Sequence, residues 1–579
     1  MNYSSKRLLK LHLASWRMAL VAGLLLCWFA TLVFRAMYLQ GLNRNFLRGK
    51  GDAVAARVLS IPAHRGMVVD RYGKPLAIST PVEALWARPE EARAISQRQI
   101  SELARILNLP SADLGKRLHV ERTGEVALDR TLSPAQAARI AALGWPGLSL
   151  HREFRRFYPE GEVTAHVVGF TNVDEVGREG VERAYDDWLS GKPGSRHVLK
   201  DRRGRVVADI SPMRGAQMGG NLALSLDLKL QYLAHRDLAA AVSASKAEGG
   251  GIVMLDAKTG EILALSNLPV FNPNNRNQYD PAHARNRVVA DTFEPGSTMK
   301  PFTIAAALEH NLVRPNTVLD LPDDLKVGGK LIRDDHYHPK LTVTEVLQKS
   351  SNIGAVKMAM RLTPEQFWDT LHRAGFGQTP GSGFPGEASG RLRNPKTWKP
   401  IEQATMAYGH GISVSLLQLA RAYMAFANDG VVMPLTFLKR DVDEMSGQQV
   451  LSADIARTVR FMMETVTEDG GTAVLARIPG YRVAGKTGTA HKLINGHYSP
   501  NRYIASFVGM APASDPRLII AVMIDEPSGA AYYGGMVAAP VFAQVMAAAL
   551  RQLGIPPDES EPPATWVTEP ALPARPNPA

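Results

Sequence analysis

Three short groups of residues in this sequence have the types and spacing for chemistry: Ser297-Thr298-Met299-Lys300, Ser350-Ser351-Asn352 and Lys486-Thr487-Gly488-Thr489. A serine hydroxyl attacks a carbonyl only when a neighbour takes its proton. Lys300 stands three residues after Ser297, on the same face of any helix that holds both. A lysine accepts a proton only when neutral, a state favoured by burial or a nearby cation. Lys486 is a candidate for that cation. Ser350 could relay a proton to a departing amine, and Asn352 could hold a substrate amide. Gly488 would let the backbone approach a ligand closely, and an extended peptide could pair with a strand that carries it. Thr487 and Thr489 could then bind a terminal carboxylate. The N–H groups of Ser297 and Thr489 are candidates for an oxyanion hole. The reaction implied is acyl transfer: Ser297 attacks a carboxylate-ended peptide, an amino acid leaves, and a second amine resolves the acyl-enzyme. Each group also has a plainer reading. Ser297 could cap a helix beside a surface Lys300, Ser350 and Asn352 could satisfy their own loop, and Lys-Thr-Gly is common at hairpins. Order and wide spacing within one stretch favour the chemical reading.

These side chains need elements to position them. Phe293-Glu294-Pro295-Gly296 precedes Ser297, and the pattern predicts a helix over Met299–Leu308, which puts Ser297 at a helix N-terminus where developing negative charge is favoured. Ile252-Val253-Met254-Leu255 and Ile262-Leu263-Ala264-Leu265 flank Lys258-Thr259-Gly260 and predict a hairpin. Leu416–Phe426 reads as one apolar helix, and residues 537–552 as another. Arg482–Ala484, Tyr503–Met510 and Leu518–Ile524 read as strands, with the Lys486 motif at the end of the first. The fold class expected is α+β with an antiparallel sheet.

The chain has 579 residues and a formal charge of +12, which raises the question of nucleic acid. The first fifty residues contribute +8 of it and contain no Asp or Glu, so the remainder is nearly neutral. That charge flanks Met18–Phe34, seventeen residues without a charge. As a helix this run spans about 26 Å, near the lower limit for crossing a bilayer. Lys6, Arg7, Lys10 and Arg17 precede it, which predicts a cytoplasmic N-terminus and a body outside the cytoplasm. Phe34-Arg35-Ala36-Met37 lacks the small residues of a cleavage site, so an uncleaved anchor is expected. The one cysteine, Cys27, lies inside the apolar run, so the exported part has no disulfide and no thiol nucleophile. The expected order is 1–17 cytoplasmic, 18–34 transmembrane, 35–60 connector, 61–225 a non-catalytic module, 226–555 the catalytic domain and 556–579 a disordered tail with eight prolines.

At its three motifs the sequence resembles the class B penicillin-binding proteins. The likeness runs from about residue 16 to 555. Arg65-Gly66-Met67-Val68-Val69-Asp70-Arg71-Tyr72-Gly73, Arg156-Phe157-Tyr158-Pro159 through Phe170, and Gly177-Arg178-Glu179-Gly180-Val181-Glu182 resemble motifs of that family's elongated pedestal, or dimerisation, domain. Pro81-Val82-Glu83-Ala84-Leu85-Trp86-Ala87, Phe170-Thr171-Asn172-Val173-Asp174, Leu347-Gln348-Lys349 and Tyr532-Tyr533-Gly534-Gly535 resemble the division-specific branch. The resemblance implies a peptidoglycan D,D-transpeptidase of the septum in the bacterial inner membrane, with a periplasmic penicillin-binding domain of β-lactamase-like fold. It implies stem peptides ending in D-Ala-D-Ala as donors and β-lactams as covalent inhibitors at Ser297. It also implies an aromatic wall of Tyr503, Tyr532 and Tyr533, and partnership with an FtsW-type glycosyltransferase and other division proteins in the membrane. No cofactor, metal or nucleic acid is implied. Against the family pattern, Met299 stands where Val is common, Arg333 lies in a cleft-proximal stretch that varies, and His410 replaces a commoner aromatic.

Rival readings are weaker. A class A β-lactamase needs a Glu-x-x-x-Asn element, which is absent between Asn352 and Lys486. A drug-sensing receptor would carry several spans and a His-Glu-x-x-His motif. An elongation-type or conditional paralogue, and a catalytically silent scaffold, remain as alternatives. Asp334-Asp335-His336-Tyr337-His338 looks like a metal cluster but lacks zinc-motif spacing, and a surface loop is expected.

Overall fold

The computed structural model describes residues 15–43, 56–61, 63–119, 124–200, 206–209, 213–440, 446–494 and 496–559. Residues 1–14 of the expected cytoplasmic segment, much of the connector, and the expected tail beyond 559 lie outside the described residues. The chain forms two compact units, one from residues up to 63 with 191–218, the other from 64–190 with 219 onward.

In the smaller unit, Ser15–Met37 is a single α-helix whose side chains are all exposed. Its 23 residues exceed the apolar run because nothing at Ser15–Arg17 or Arg35–Met37 breaks a helix. At 1.5 Å per residue it is about 35 Å long, enough to cross a hydrocarbon core. The unit also holds a three-stranded antiparallel sheet, with Gly194–Lys200 between Ala56–Ile61 and Val206–Asp209.

The larger unit is built around a five-stranded sheet of β1 (Gly249–Asp256), β2 (Ile262–Leu268), β3 (Ala484–Ile494), β4 (His497–Ala511) and β5 (Leu518–Asp525). Its order is β2-β1-β5-β4-β3, with every neighbouring pair antiparallel. β1 and β5 are buried on both faces, which is why they read as continuous apolar runs. Helix α1 (Leu228–Ala244) covers one face: a Cβ at Gly250 would meet its Leu238 and Val242. A Cβ at Gly251 would meet Leu416 instead, so the helix beginning there covers the other face. Three further helices matter: α2 (Lys300–Glu309), α3 (Asn352–Ala359) and α4 (Ala539–Gln552). The run Gly534–Gln552, which ends in α4, is long and apolar enough to pass for a membrane span, but α4 packs against α1 and the sheet.

Several boundaries differ from the sequence reading. The predicted helix over 416–426 divides into Leu416–Ala422 and Met424–Ala427, with Tyr423 between them donating its hydroxyl to Thr298 O at 2.8 Å. The Lys486 motif lies within β3, not at a strand's end, because β3 continues to Ile494. Pro556–Glu559 is not free chain: Asp558 accepts from Arg482 N at 2.7 Å and Ser514 N at 3.0 Å, and Glu559 N donates to Gly480 O at 3.1 Å.

Elsewhere in this unit, Pro75–Ala87 pairs with Val126–Leu132 and Leu148–Phe157, over a small core that includes Leu85, Leu103 and Leu114. The three Arg- and Gly-rich segments converge on Glu182, which is fully buried. Arg65 reaches it at 2.6 Å and Arg156 at 2.6 Å, while Arg65 also meets Asp186 at 2.7 Å.

Candidate active site

Ser297 sits in a single 3₁₀ turn, Gly296–Met299, that leads into α2. The predicted helix is thus present, and the serine lies one turn ahead of its regular part. The turn is held from three sides. Thr298 Oγ1 donates to Pro295 O at 2.8 Å, Tyr423 donates to Thr298 O, and Gly296 N donates to Gly409 O at 3.2 Å. Against it lies β3, where a Cβ at Gly488 would stand 2.4 Å from Ser506 Oγ and 2.8 Å from Pro295 O. Only glycine lets this strand approach the turn so closely.

α2 carries Lys300 beneath the serine, fully buried. Its ammonium donates to Ser350 Oγ at 3.1 Å, to Asn352 Oδ1 at 2.8 Å and to the Ser350 carbonyl. Lys486, also fully buried, enters from β3 and reaches Ser350 Oγ at 3.0 Å. Ser350 therefore bridges two lysines. It can do so because it lies between two helices, Val343–Gln348 and α3, with φ at +59°, a conformation costly for a residue with a Cβ. Ser297 Oγ makes no hydrogen bond among the described residues.

Burial is what depresses both lysines. It pushes Lys300 down from 10.5 to about 7, against the opposing pull of Asp334 and Asp335. Burial also pushes Lys486 well below its ordinary value, and the charge of Lys300 adds to that effect. The expected influence of Lys486 on Lys300 thus runs the other way, with burial the main cause for each.

The cleft above these residues has a volume of about 1070 Å³. Ser297, Ser350, Asn352, Thr487 and Thr489 line it, as do Tyr503, Tyr532 and Tyr533. The three tyrosines form a continuous stack, with ring centroids 4.3 Å apart for Tyr503–Tyr532 and 4.4 Å for Tyr532–Tyr533. Thr487 Oγ1 meets Thr472 Oγ1 at 2.9 Å, and Thr489 Oγ1 accepts from Gly534 N at 3.0 Å. Among the described residues, the hydroxyl proton of Thr489 has no acceptor.

Three features of the cleft escape the motif reading. Thr472 extends the hydroxyl pair from a Gly-Gly-Thr turn that carries no catalytic signature. The Asp334–His338 segment is a surface loop, as expected, but it also forms a wall of the cleft. Asp334 accepts from Ser351 Oγ at 2.5 Å, Ile353 N at 3.0 Å and Asn352 N, so it satisfies the start of α3. Among the described residues, no three His, Cys, Asp or Glu side chains converge as a metal site. Lastly, Glu294 and His410 pair within the cleft wall, with His410 Nδ1 3.0 Å from Glu294 Oε2.

The arrangement matches known proteins over most of its length. Residues 250–547 match the penicillin-binding protein transpeptidase domain, and residues 60–224 the penicillin-binding protein dimerisation domain. The peptidoglycan D,D-transpeptidase FtsI of Escherichia coli K12 is 44% identical over 94% of this chain and 93% of its own. The transpeptidase domain of Burkholderia pseudomallei penicillin-binding protein 3 is 47% identical, with a TM-score of 0.54, over 58% of this chain and 98% of its own. Penicillin-binding protein 3 of Mycobacterium tuberculosis, solved with aztreonam, is 28% identical, with a TM-score of 0.67, over 87% of this chain and 98% of its own. With two domain models in the right order and relatives alike from end to end, this chain belongs to the penicillin-binding protein transpeptidases.

Proposed function

We propose that the protein is a serine peptidoglycan D,D-transpeptidase that cross-links stem peptides at the division septum and is acylated by β-lactams at Ser297. The observation that carries this is the Ser350 hydroxyl, within hydrogen-bond reach of both Lys300 and Lys486 in the cleft that holds Ser297. Lys300, neutral in part near pH 7, accepts the Ser297 proton as Oγ attacks the penultimate D-alanine carbonyl. Serine–carbon bond formation gives a tetrahedral oxyanion, held by the N–H groups of Ser297 and Thr489. The proton then passes through Ser350 to the nitrogen of the terminal D-alanine, and the carbon–nitrogen bond breaks. An amine from a second stem peptide attacks the ester, and its proton returns to Ser297 Oγ. Thr487, Thr489 and Thr472 receive the donor's carboxylate, and the tyrosine stack walls the donor in.

The long exposed apolar helix supports a membrane anchor. With the flanking positive charge, the reading is an inner-membrane protein with its N-terminus in the cytoplasm and its catalytic domain in the periplasm. Residues 61–225 are the pedestal or dimerisation domain and 226–555 the transpeptidase domain. Partners are an FtsW-type glycosyltransferase and other division proteins of the membrane. The test is intact-mass analysis of the full chain with benzylpenicillin. A lasting adduct on Ser297, absent from a folded Ser297→Ala variant, is expected. Labelling that persists in the variant would refute the assignment.

A further inference from the structure

Acylation is served by the lysine–serine cluster, yet the cleft wall holds a second set of proton-handling groups. Glu294 is largely buried and fully occupied: it pairs with His410 Nδ1 at 3.0 Å, accepts from Gly411 N at 2.8 Å, and accepts from the Tyr498 hydroxyl at 3.0 Å. These donors hold its carboxyl below the usual range although burial opposes them. The His410 ring is fixed between Tyr408 and Tyr498, at centroid distances of 5.2 Å and 5.7 Å. With Nδ1 committed to a carboxylate, the neutral ring carries its proton there and leaves Nε2 a bare acceptor. Nε2 has no hydrogen-bond partner among the described residues, and His410 lines the same cleft as Ser297. The backbone next to His410 is also tied to the turn that carries Ser297. Gly296 N donates to Gly409 O, and a Cβ at Gly409 would stand 2.1 Å from Gly296 O.

A carboxylate-oriented imidazole beside an acyl-serine has the construction of a general base. Building on the transpeptidase reading, we propose that His410, oriented by Glu294, is the base that deprotonates the incoming acceptor amine in the second half-reaction. The acceptor arrives as an ammonium. Nε2 takes one proton from it and releases that proton to solvent. The neutral amine forms its bond to the ester carbonyl as the bond from that carbonyl to Ser297 Oγ breaks. Its next proton returns through Ser350 or Lys300 to Ser297. Glu294 is a positioning residue in this scheme.

The titratable groups facing the ring are Glu294, Tyr408 and Tyr498. Elsewhere the cleft is lined by Asp334, Asp335, His336, His338, Lys349 and His491. The six residues lining the cleft elsewhere are kept intact in every variant.

The experiment uses the full chain in detergent, with a thioester analogue of an acyl-D-alanyl donor and D-alanine as acceptor. Acyl-enzyme formation and aminolysis are measured separately from pH 5 to 9. In His410→Gln, aminolysis is expected to fall at least tenfold more than acylation, and to lose an ascending limb of its pH profile. His410→Tyr keeps an aromatic ring in place without the nitrogen, and the same split is expected. Glu294→Gln is expected to lower aminolysis more than acylation, and Glu294→Asp, which keeps a carboxylate, to restore part of the loss. Equal losses in both half-reactions, an unchanged profile in His410→Gln, or full aminolysis in His410→Tyr would each overturn the proposal. Failure of the unaltered chain to form an acyl-enzyme would instead overturn the transpeptidase reading beneath it.

Discussion

At the scale of the residue, the site's chemistry comes from putting two lysines where water does not reach. A lysine depressed to about 7 spends half its time as a base at neutral pH, which an exposed lysine does not. Benzylpenicillin acylation should therefore rise with pH through about 7 and flatten above it, as a stopped-flow profile would show. Lys300→Met should reduce acylation by a factor on the order of 10²–10⁴, the usual worth of a positioned base. The same depression costs stability. The folded state gives up the lysine proton more readily than the unfolded chain, so stability falls as pH drops from 10.5 toward 7. Thermal melts of Lys300→Met should show a shallower slope over that range, with the part due to Lys486 remaining.

At the scale of the element, the site depends on segments that present side chains at unusual backbone positions. Asp334 caps the start of α3 and so fixes Ser350 and Asn352. Asp334→Ala should cost about 1 kcal/mol, as the loss of a cap does, and slow acylation by more than its effect on the melting temperature would explain. Gly488→Ala should cost about 1–3 kcal/mol by overpacking, because β3 must withdraw from Pro295 O, and penicillin labelling should slow with it. The sequence revealed the elements unevenly, for physical reasons. The β1–β2 hairpin was legible because apolar runs flank a Lys-Thr-Gly turn. β3 was not, because Gly485, Lys486 and Gly488 interrupt the apolar pattern just where the strand does its work. The motif residues converged as their order implied. Asp334, Thr472 and the Glu294–His410 pair were illegible because each acts on a partner that only folding brings near. Glu294 and His410, for example, lie 116 positions apart in the chain.

At the scale of the whole larger unit, Glu182 gathers three distant segments through Arg65 and Arg156. Glu182→Ala would leave the buried Arg156 without its carboxylate and Arg65 with Asp186 alone, and should cost about 3–5 kcal/mol, read as a fall in melting temperature. The central sheet has a consequence of its own. β3 ends the sheet, so among the described residues one row of its backbone groups has no neighbouring strand. Such a row, eleven residues long, is a template on which the strand of any other chain can add, the usual beginning of aggregation. Here the row lies beside the Ser297 turn, so close that even a methyl group on Gly488 would collide with it. The turn therefore packs on the strand there and obstructs the approach of a strand backed by its own sheet. The turn that carries the serine thus also blunts the sheet edge against the addition of another copy's strand.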